Sequence, residues 1–266
     1  MVEDLKNIIK EELGIHSQVS ELAKSVYSNI QKDMQTRENL NSDTCTIKQG
    51  EVDCVIKDIK FKVSYVCRNF NDDAIVKEIT EEALTEGGSA FISKNFIYCH
   101  VEILSLYGFI NKKLALSTIQ HELEHIYQQI LSNKRIPSDD IRYAKMRSDM
   151  MSNNIDRHNV ARLVYICYKS EQEGFINGMY AWCMADDART KPYDYTSISK
   201  SPAGKIYVEA KELFSKLVKN KEMILILKEE YGLTVSDVEK YIQKFLKKIG
   251  RVIIKVNKDK SKIWRI

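Results

Sequence analysis

The sequence predicts an α+β protein, and three features of its pattern support this. Between residues 44 and 70, apolar and polar residues alternate with a period of two, which is typical of half-buried strands. From Leu114 to Leu131, apolar residues recur with the period of a helix. The C-terminal part again shows helical patterns, near Lys205–Leu217, Lys221–Glu230 and Thr234–Ile249. We therefore expect an antiparallel sheet packed on one helix, followed by a helical C-terminal part.

The chain divides into four predicted regions. Residues 1–43 show two helical patterns, which are broken near Gly14. Residues 44–186 contain the strand patterns and the motif described below, and we expect them to form the functional core. Residues 187–204 contain two of the three prolines, so they predict a linker or an ordered loop. Residues 205–266 predict helices that end in a hairpin formed by the stretches 251–256 and 262–266.

Two further strand patterns, Ala90–Ser93 and Asn95–Leu104, precede the helix that begins near Leu114. A strand in this position can present a free sheet edge. Extended peptides bind such edges through backbone hydrogen bonds. We expect Phe96–Glu102 to be the edge that holds a peptide.

The stretch from His121 to His125 reads His-Glu-Leu-Glu-His. On a helix, residues four apart lie about 40° from each other around the axis, so His121 and His125 share one face. Two imidazole nitrogens can then reach one zinc ion at about 2.0–2.1 Å. Glu122 lies at the edge of the same face, where it can accept a proton from water at the open metal position. His121, Glu122 and His125 are therefore the primary candidate site residues.

The apolar residues of this helix support the same orientation. They form a stripe almost opposite the two histidines: Ile119, Leu123, Ile126, Tyr127 and Ile130. We expect this stripe to pack against the core while the histidines face a cleft.

A catalytic zinc site takes a third protein ligand, commonly a carboxylate or another histidine. No histidine follows within ten residues of His125, so we expect a carboxylate from elsewhere in the chain. The best candidates are Glu171 and Glu173, within a long helical pattern that runs from about Asp156 to Ala185. On one helix these two carboxylates point about 160° apart, so only one of them can face the metal.

The His121–His125 motif, together with this later glutamate, resembles the gluzincins, zinc peptidases whose third ligand is a glutamate on a second helix. The likeness is to their small bacterial and phage-type members and covers about Thr118 to Gly178. In that family a small residue follows the ligand glutamate, and a polar residue one turn later supports a ligand histidine. Glu173 matches this pattern, with Gly174 next and Asn177 four residues on. The resemblance therefore implies a zincin-like fold in which His121, His125 and Glu173 bind Zn2+.

Glu124 departs from the family pattern, which avoids a charge at that position. Its direction on the helix, about 60° from His121 and away from Glu122, predicts that it reaches solvent or flanks the cleft. This departure bears on peptidase activity more than on metal binding.

Charge is distributed unevenly along the chain. Residues 200–266 contain 17 Lys and Arg against 8 Asp and Glu, whereas the whole chain has a formal net charge of only +4. A basic region can bind nucleic acid or another anionic surface. The alternative, which the alternation of lysines with Leu, Ile and Val favours, is that these lysines are the solvated faces of amphipathic helices.

Composition favours an intracellular enzyme. Hydrophobic residues make up 44% of the chain, but no apolar stretch approaches the roughly 20 residues needed to cross a bilayer. The six cysteines are scattered, which favours reduced thiols and a cytoplasmic location. We expect no membrane partner.

The function that these observations predict is zinc-dependent hydrolysis of peptide bonds in a peptide or protein substrate, with Glu122 as the general base. Two alternatives remain open. One is a catalytically silent structural or assembly protein in which zinc only braces the fold. The other is a module that binds nucleic acid or another anionic surface through the basic C-terminal region.

Overall fold

The computed structural model describes residues 16–35, 45–70, 87–92, 97–106, 109–132 and 141–261. These residues form an α+β fold with a mixed five-stranded sheet and nine helices. They divide into two compact units. The first lies within Met1–Lys134 and Tyr180–Ala188, and the second within Arg135–Met179 and Arg189–Ile266. Among the described helices, none is both long and apolar enough to cross a membrane.

The first unit contains the sheet and two long helices. The helices are α1 (Ser17–Gln35) and α2 (Lys112–Ser132). The strands are β1 (Cys45–Ile56), β2 (Ile59–Phe70), β3 (Gly87–Ile92), β4 (Ile97–Leu106) and the short β5 (Phe109–Ile110). α1 confirms one of the two helices predicted for residues 1–43. The other lies outside the described residues.

The sheet is mixed rather than antiparallel, so the expected antiparallel sheet was wrong. Its strand order is β1-β2-β4-β3, and β2 pairs with β4 in parallel, with Val63 opposite Cys99. The other pairs are antiparallel. Period-two alternation identifies strands but not their partners, and the chain between Phe70 and Ile97 is long enough for the crossover that parallel neighbours require.

Strand β4 lies inside the sheet, between β2 and β3. The expectation of a free edge was therefore wrong for Ile97–Glu102, because this stretch pairs with β3 throughout and with β2 from Cys99 onward. Phe96 lies outside the described residues. Among the described strands, β3 is paired on one side only, with β4. β3, which contacts α2, is thus a sheet edge among the described strands.

The core of the first unit lies between one face of the sheet and the two helices. Alternate residues of β2 and β4, such as Val63 and Val101, are buried on this face, as are Ile119 and Leu123 of α2. At a burial value of about 25 cal/mol per Å2, each such side chain stabilises the fold by roughly 1.5–3 kcal/mol. The buried Lys48 ammonium donates to the Met34 carbonyl near the end of α1. α2 is therefore held firmly by its apolar side.

The second unit is helical. Its elements are α3 (Ile141–Met150), α4 (Ile155–Cys167), most of α5 (Lys169–Met184), α6 (Tyr195–Ile198), α7 (Pro202–Leu217), α8 (Lys221–Tyr231) and α9 (Val235–Lys260). The three helices predicted after residue 204 are confirmed. The predicted linker, residues 187–204, contains the single turn α6 and the start of α7.

Two predictions about the second unit were wrong. The helix expected from Asp156 to Ala185 is two helices, since the backbone of Tyr168 is extended, with φ −61° and ψ 134°. The terminal hairpin is also absent in the described part, because α9 continues as a helix to Lys260. Residues 262–266, its expected second strand, lie outside the described residues. Val252 and Val256 are buried one turn apart, so packing overrides their β propensity.

Candidate metal centre

Helix α2 carries both candidate histidines, and its packing determines the side to which they point. Its first turn is capped by Asn111, whose side-chain oxygen accepts from the Leu114 backbone N–H at 3.2 Å. Ile119, Leu123 and Ile126 are fully buried along one side, as the sequence predicted. Tyr127 and Ile130 extend this side as partly buried residues. The predicted apolar stripe is therefore confirmed, and the histidines lie on the other side of the helix.

The two histidines converge on one point. The Nε2 atoms of His121 and His125 lie 3.0 Å apart, and their rings are nearly perpendicular, at 81°. Two ligands at about 2.0–2.1 Å from a tetrahedral zinc ion would be about 3.3 Å from each other. Both rings are partly exposed, so a metal could reach them from solvent. The pair fits the spacing that one ion requires.

The third member of this group is Glu171. His121, His125 and Glu171 form a group that could hold a metal ion. The Glu171 side chain is 4% exposed. A carboxylate this buried is stabilised when a cation or hydrogen bonds compensate its charge. Two imidazoles and a carboxylate are a donor set that suits zinc.

Glu173, the ligand preferred from the sequence, is not in the group that could hold a metal ion, and its role as a ligand stays a prediction. The Glu173 side chain is 26% exposed, and its Oε1 lies 3.7 Å from the ammonium groups of both Lys169 and Lys248. The extended backbone at Tyr168 makes Glu171 part of the first turn of α5. The sequence argument treated the region as one unbroken helix and could not include this break.

Tyr143 of α3 supports Glu171. Its hydroxyl donates to Glu171 Oε1 at 3.3 Å, and its ring meets that of Tyr168 edge-to-face, with centroids 5.7 Å apart. A hydrogen bond to a metal-binding carboxylate orients the oxygen that remains for the metal. The sequence carried no signal for this residue, since tyrosines are frequent in the chain and Tyr143 lies 18 residues after His125.

Glu122 lies on the side of α2 that faces the sheet. Its side chain is 6% exposed, and it rests on the backbone of β3 at Gly88. A Cβ atom on residue 88 would lie 2.5 Å from Glu122 Cγ and 2.7 Å from its Oε1. Only glycine leaves this space. The sequence showed Gly88 as one of a Gly-Gly pair, and only the structure reveals its contact with Glu122.

Cys99 of β4 also lies near Glu122. Burial raises the pKa of the Cys99 thiol well above its usual value, and the negative charge of Glu122 raises it further. Because strand residues alternate, His100 points to the opposite face of β4, where its Nδ1 lies 2.9 Å from Ser64 Oγ. His100 is therefore directed away from the α2 side of the sheet.

Glu124 does not reach solvent, so the first of the two positions expected for it was wrong. Its side chain is 1% exposed, and Oε1 lies 3.5 Å from Nε2 of His16 and 3.2 Å from Nε2 of Gln128. The ring of His16 packs on that of Tyr127, with centroids 4.0 Å apart. The Glu124 carboxylate, a charge that the gluzincin pattern avoids at this position, thus lies against His16, the residue before α1.

Asn177, expected to support a ligand histidine, is fully buried. Its Nδ2 donates to the Glu173 carbonyl one turn earlier, at 3.0 Å. The expectation that it orients a ligand remains a prediction.

Comparison of the chain with protein-family models, with curated proteins and with solved structures gives no match.

Proposed function

We propose that this protein hydrolyses peptide bonds with a zinc ion bound by His121, His125 and Glu171. The observation that carries the proposal is the 3.0 Å approach of the Nε2 atoms of His121 and His125, which belong to a group that could hold a metal ion. Glu122 follows His121 directly in the chain, and the proposal assigns it as the general base. Three protein ligands and a further carboxylate that can act as a base are the composition of a hydrolytic zinc site.

Zinc at this site would polarise the scissile carbonyl and lower the pKa of a water molecule to about 7. The protein contributes the proton transfers. The Glu122 carboxylate accepts a proton from the attacking water and then delivers it to the leaving amine. Gly88 lets the Glu122 side chain lie flat on β3, so the carboxylate has little freedom to swing away. Tyr143 holds one oxygen of Glu171.

The substrate in this proposal is an extended peptide or protein segment, bound along the side of β3 that pairs with none of the described strands. This strand replaces Phe96–Glu102 as the candidate edge. β3 carries Gly88, and Gly88 contacts Glu122, so a peptide paired with β3 would pass close to the general base. Backbone pairing of this kind selects extended chains and depends little on their sequence.

The test measures zinc content and peptide hydrolysis on the same preparations. We expect about one zinc per chain in the wild-type protein and cleavage of members of a quenched fluorescent peptide library. The double variant His121→Ala/His125→Ala should lose both. Glu122→Gln should keep its zinc but lose hydrolysis by about 10²- to 10⁴-fold, because the amide cannot accept the proton. His100→Ala is the matched control and should change neither.

Full zinc occupancy in the double histidine variant would show that the metal binds elsewhere. Zinc that depends on the histidines, in a protein that cleaves no peptide, would favour the structural alternative in which the metal braces the fold. Equal turnover by Glu122→Gln and the wild type would remove Glu122 as the base.

A further inference from the structure

Helix α9 is strongly amphipathic, and its apolar side belongs to the core of the second unit. A capping box between Thr234 and Asp237 begins the helix. The buried residues follow at helical spacing along its length: Val238, Ile242, Phe245, Ile249, Val252, Ile253 and Val256. The apolar side of α9 is therefore already covered by the fold.

The opposite side of α9 carries a row of exposed cations, which we call the basic face: Lys240, Lys244, Lys247, Arg251 and Lys258. Steps of three, four and seven residues keep all five within about 40° of one line along the helix. At a rise of about 1.5 Å per residue, the row is about 27 Å long. The exposed Ser236, Gln243 and Ile254 lie close to the same line, and none of them is acidic.

Ion pairing separates this face from the other lysines of α9. Within the described part of the chain, no carboxylate lies within 4.0 Å of any basic-face cation. By contrast, Lys248 and Lys255, which flank the face, are partly buried and lie near Glu173 and Asp259, at 3.7 and 2.8 Å. The helix thus pairs its flanking lysines and leaves a line of five cations that repel one another.

The arrangement favours the phosphate backbone of nucleic acid as the partner. A helix that lies in a membrane surface must insert its apolar side, and that side of α9 is buried. Double-stranded DNA carries one phosphate charge per about 1.7 Å of its axis, so a row of cations about 27 Å long lies along a dense line of negative charge. Four of the five cations are lysines, which bind phosphates as point charges rather than reading bases.

We propose that the basic face of α9 binds the phosphate backbone of nucleic acid without regard to sequence. This role is independent of the metal centre. Because the interaction is electrostatic, the affinity falls steeply as the salt concentration rises. The slope of log K against log salt is proportional to the number of phosphates contacted.

The test measures binding of a fluorescein-labelled 30-base-pair duplex DNA of arbitrary sequence by anisotropy, between 25 and 200 mM KCl. For five contacts, the slope of log K against log salt should approach about −4.5. The basic-face variant replaces all five cations with Gln. It should bind at least tenfold more weakly at 50 mM KCl, with a slope smaller in magnitude by about three to four.

The matched control removes the same charge elsewhere in the second unit. It replaces five other exposed lysines with Gln: Lys205, Lys216, Lys219, Lys221 and Lys228. This variant should keep the wild-type slope and stay within about threefold of wild-type affinity. Thermal melts of both variants verify folding. If the fivefold basic-face variant does not fold, the triple variant Lys244→Gln/Lys247→Gln/Arg251→Gln takes its place.

Three outcomes would overturn the proposal. The first is a wild-type protein that binds neither duplex nor single-stranded DNA at 50 mM KCl. The second is a control variant that loses as much affinity as the basic-face variant, since binding would then follow net charge alone. The third is basic-face-dependent binding to phosphatidylserine vesicles or to an acidic protein, without binding to DNA.

Discussion

The Cβ atom that Gly88 lacks would lie 2.5 Å from Cγ of Glu122, so the strand backbone and the side chain of the proposed base occupy adjoining space. Alanine at this position must displace Glu122 or shift β3. Misplacement of a catalytic group by about 1 Å costs on the order of 100-fold in rate. We expect Gly88→Ala to retain zinc and to reduce peptide hydrolysis by about 10- to 100-fold.

Ser89→Ala, on the next residue of β3, is the control for this substitution. It should change hydrolysis by less than about twofold, because Ser89 points to the other face of the strand. Full turnover by Gly88→Ala would mean that Glu122 does not act from the position described.

The choice between the two glutamates is decided by metal affinity. We expect Glu171→Ala to weaken zinc binding by more than about 100-fold, because it removes a ligand. Glu173→Ala should change the affinity by less than about threefold, since Glu173 lies beside Lys169 and Lys248. Competition with a fluorescent chelator measures both affinities. The reverse order would restore Glu173 as the ligand.

Tyr143→Phe tests whether the hydroxyl orients Glu171. The variant keeps the ring that packs on Tyr168 and loses the 3.3 Å hydrogen bond to Glu171 Oε1. Loss of such a supporting contact typically weakens metal binding or activity by about 10- to 100-fold. We therefore expect a weaker zinc affinity with an unchanged melting temperature in the chelated protein. Tyr241→Phe is the control, and an equal loss of affinity there would assign the effect to general packing.

The interactions of Asp149 predict that the stability of the second unit falls at acidic pH. It accepts from Tyr231 at 2.6 Å and lies near Lys145 and Arg157. Burial acts to raise the pKa of Asp149, but the hydrogen bonds from Tyr231 and Lys145, with the charge of Arg157, outweigh it and lower the pKa. Because the folded pKa lies below the unfolded value, the stabilisation is present above about pH 4 and lost as the pH falls through the folded pKa.

We expect Asp149→Asn to lower the free energy of unfolding by about 1.5–3 kcal/mol at pH 7, which is the usual contribution of a hydrogen bond to a charged group. The difference from the wild type should shrink below about pH 4, as the wild-type carboxylate becomes protonated. Urea unfolding at several pH values measures this. Asp53→Asn, on an exposed strand position, should have little effect at any pH. A cost that does not change with pH would mean that the charge of Asp149 is unimportant.

The sequence predicted helix α2 and its orientation because both depend on local periodicity. The spacing of Ile119, Leu123 and Ile126 requires a buried side, and the histidines must then lie opposite. The order of strands depends on contacts between distant residues, such as Val63 opposite Cys99, which no local pattern encodes. For the same reason, the contact between Gly88 and Glu122 could not be read from the chain.

The C-terminal prediction failed at Gly250, which looked like a helix end. In the structure this glycine lies inside α9, and a Cβ there would lie 2.5 Å from the hydroxyl of Tyr195. Glycine at a site of close approach and glycine at a helix end look alike in a sequence. The phase of α5 likewise depends on the extended backbone at Tyr168, which no local pattern in the sequence predicts.

The two units are interleaved along the polypeptide, which limits how the gene could be divided. The first unit takes residues from both sides of Arg135–Met179. Ala181 and Ala185 belong to the same buried cluster as Ile119 and Leu123, and Asp187 lies 2.6 Å from Lys112 at the start of α2. A fragment that stops at Lys134 would carry both histidines yet leave that cluster open to water. Separate expression of the two halves should therefore yield insoluble or protease-sensitive polypeptides unless the missing segment is supplied in trans.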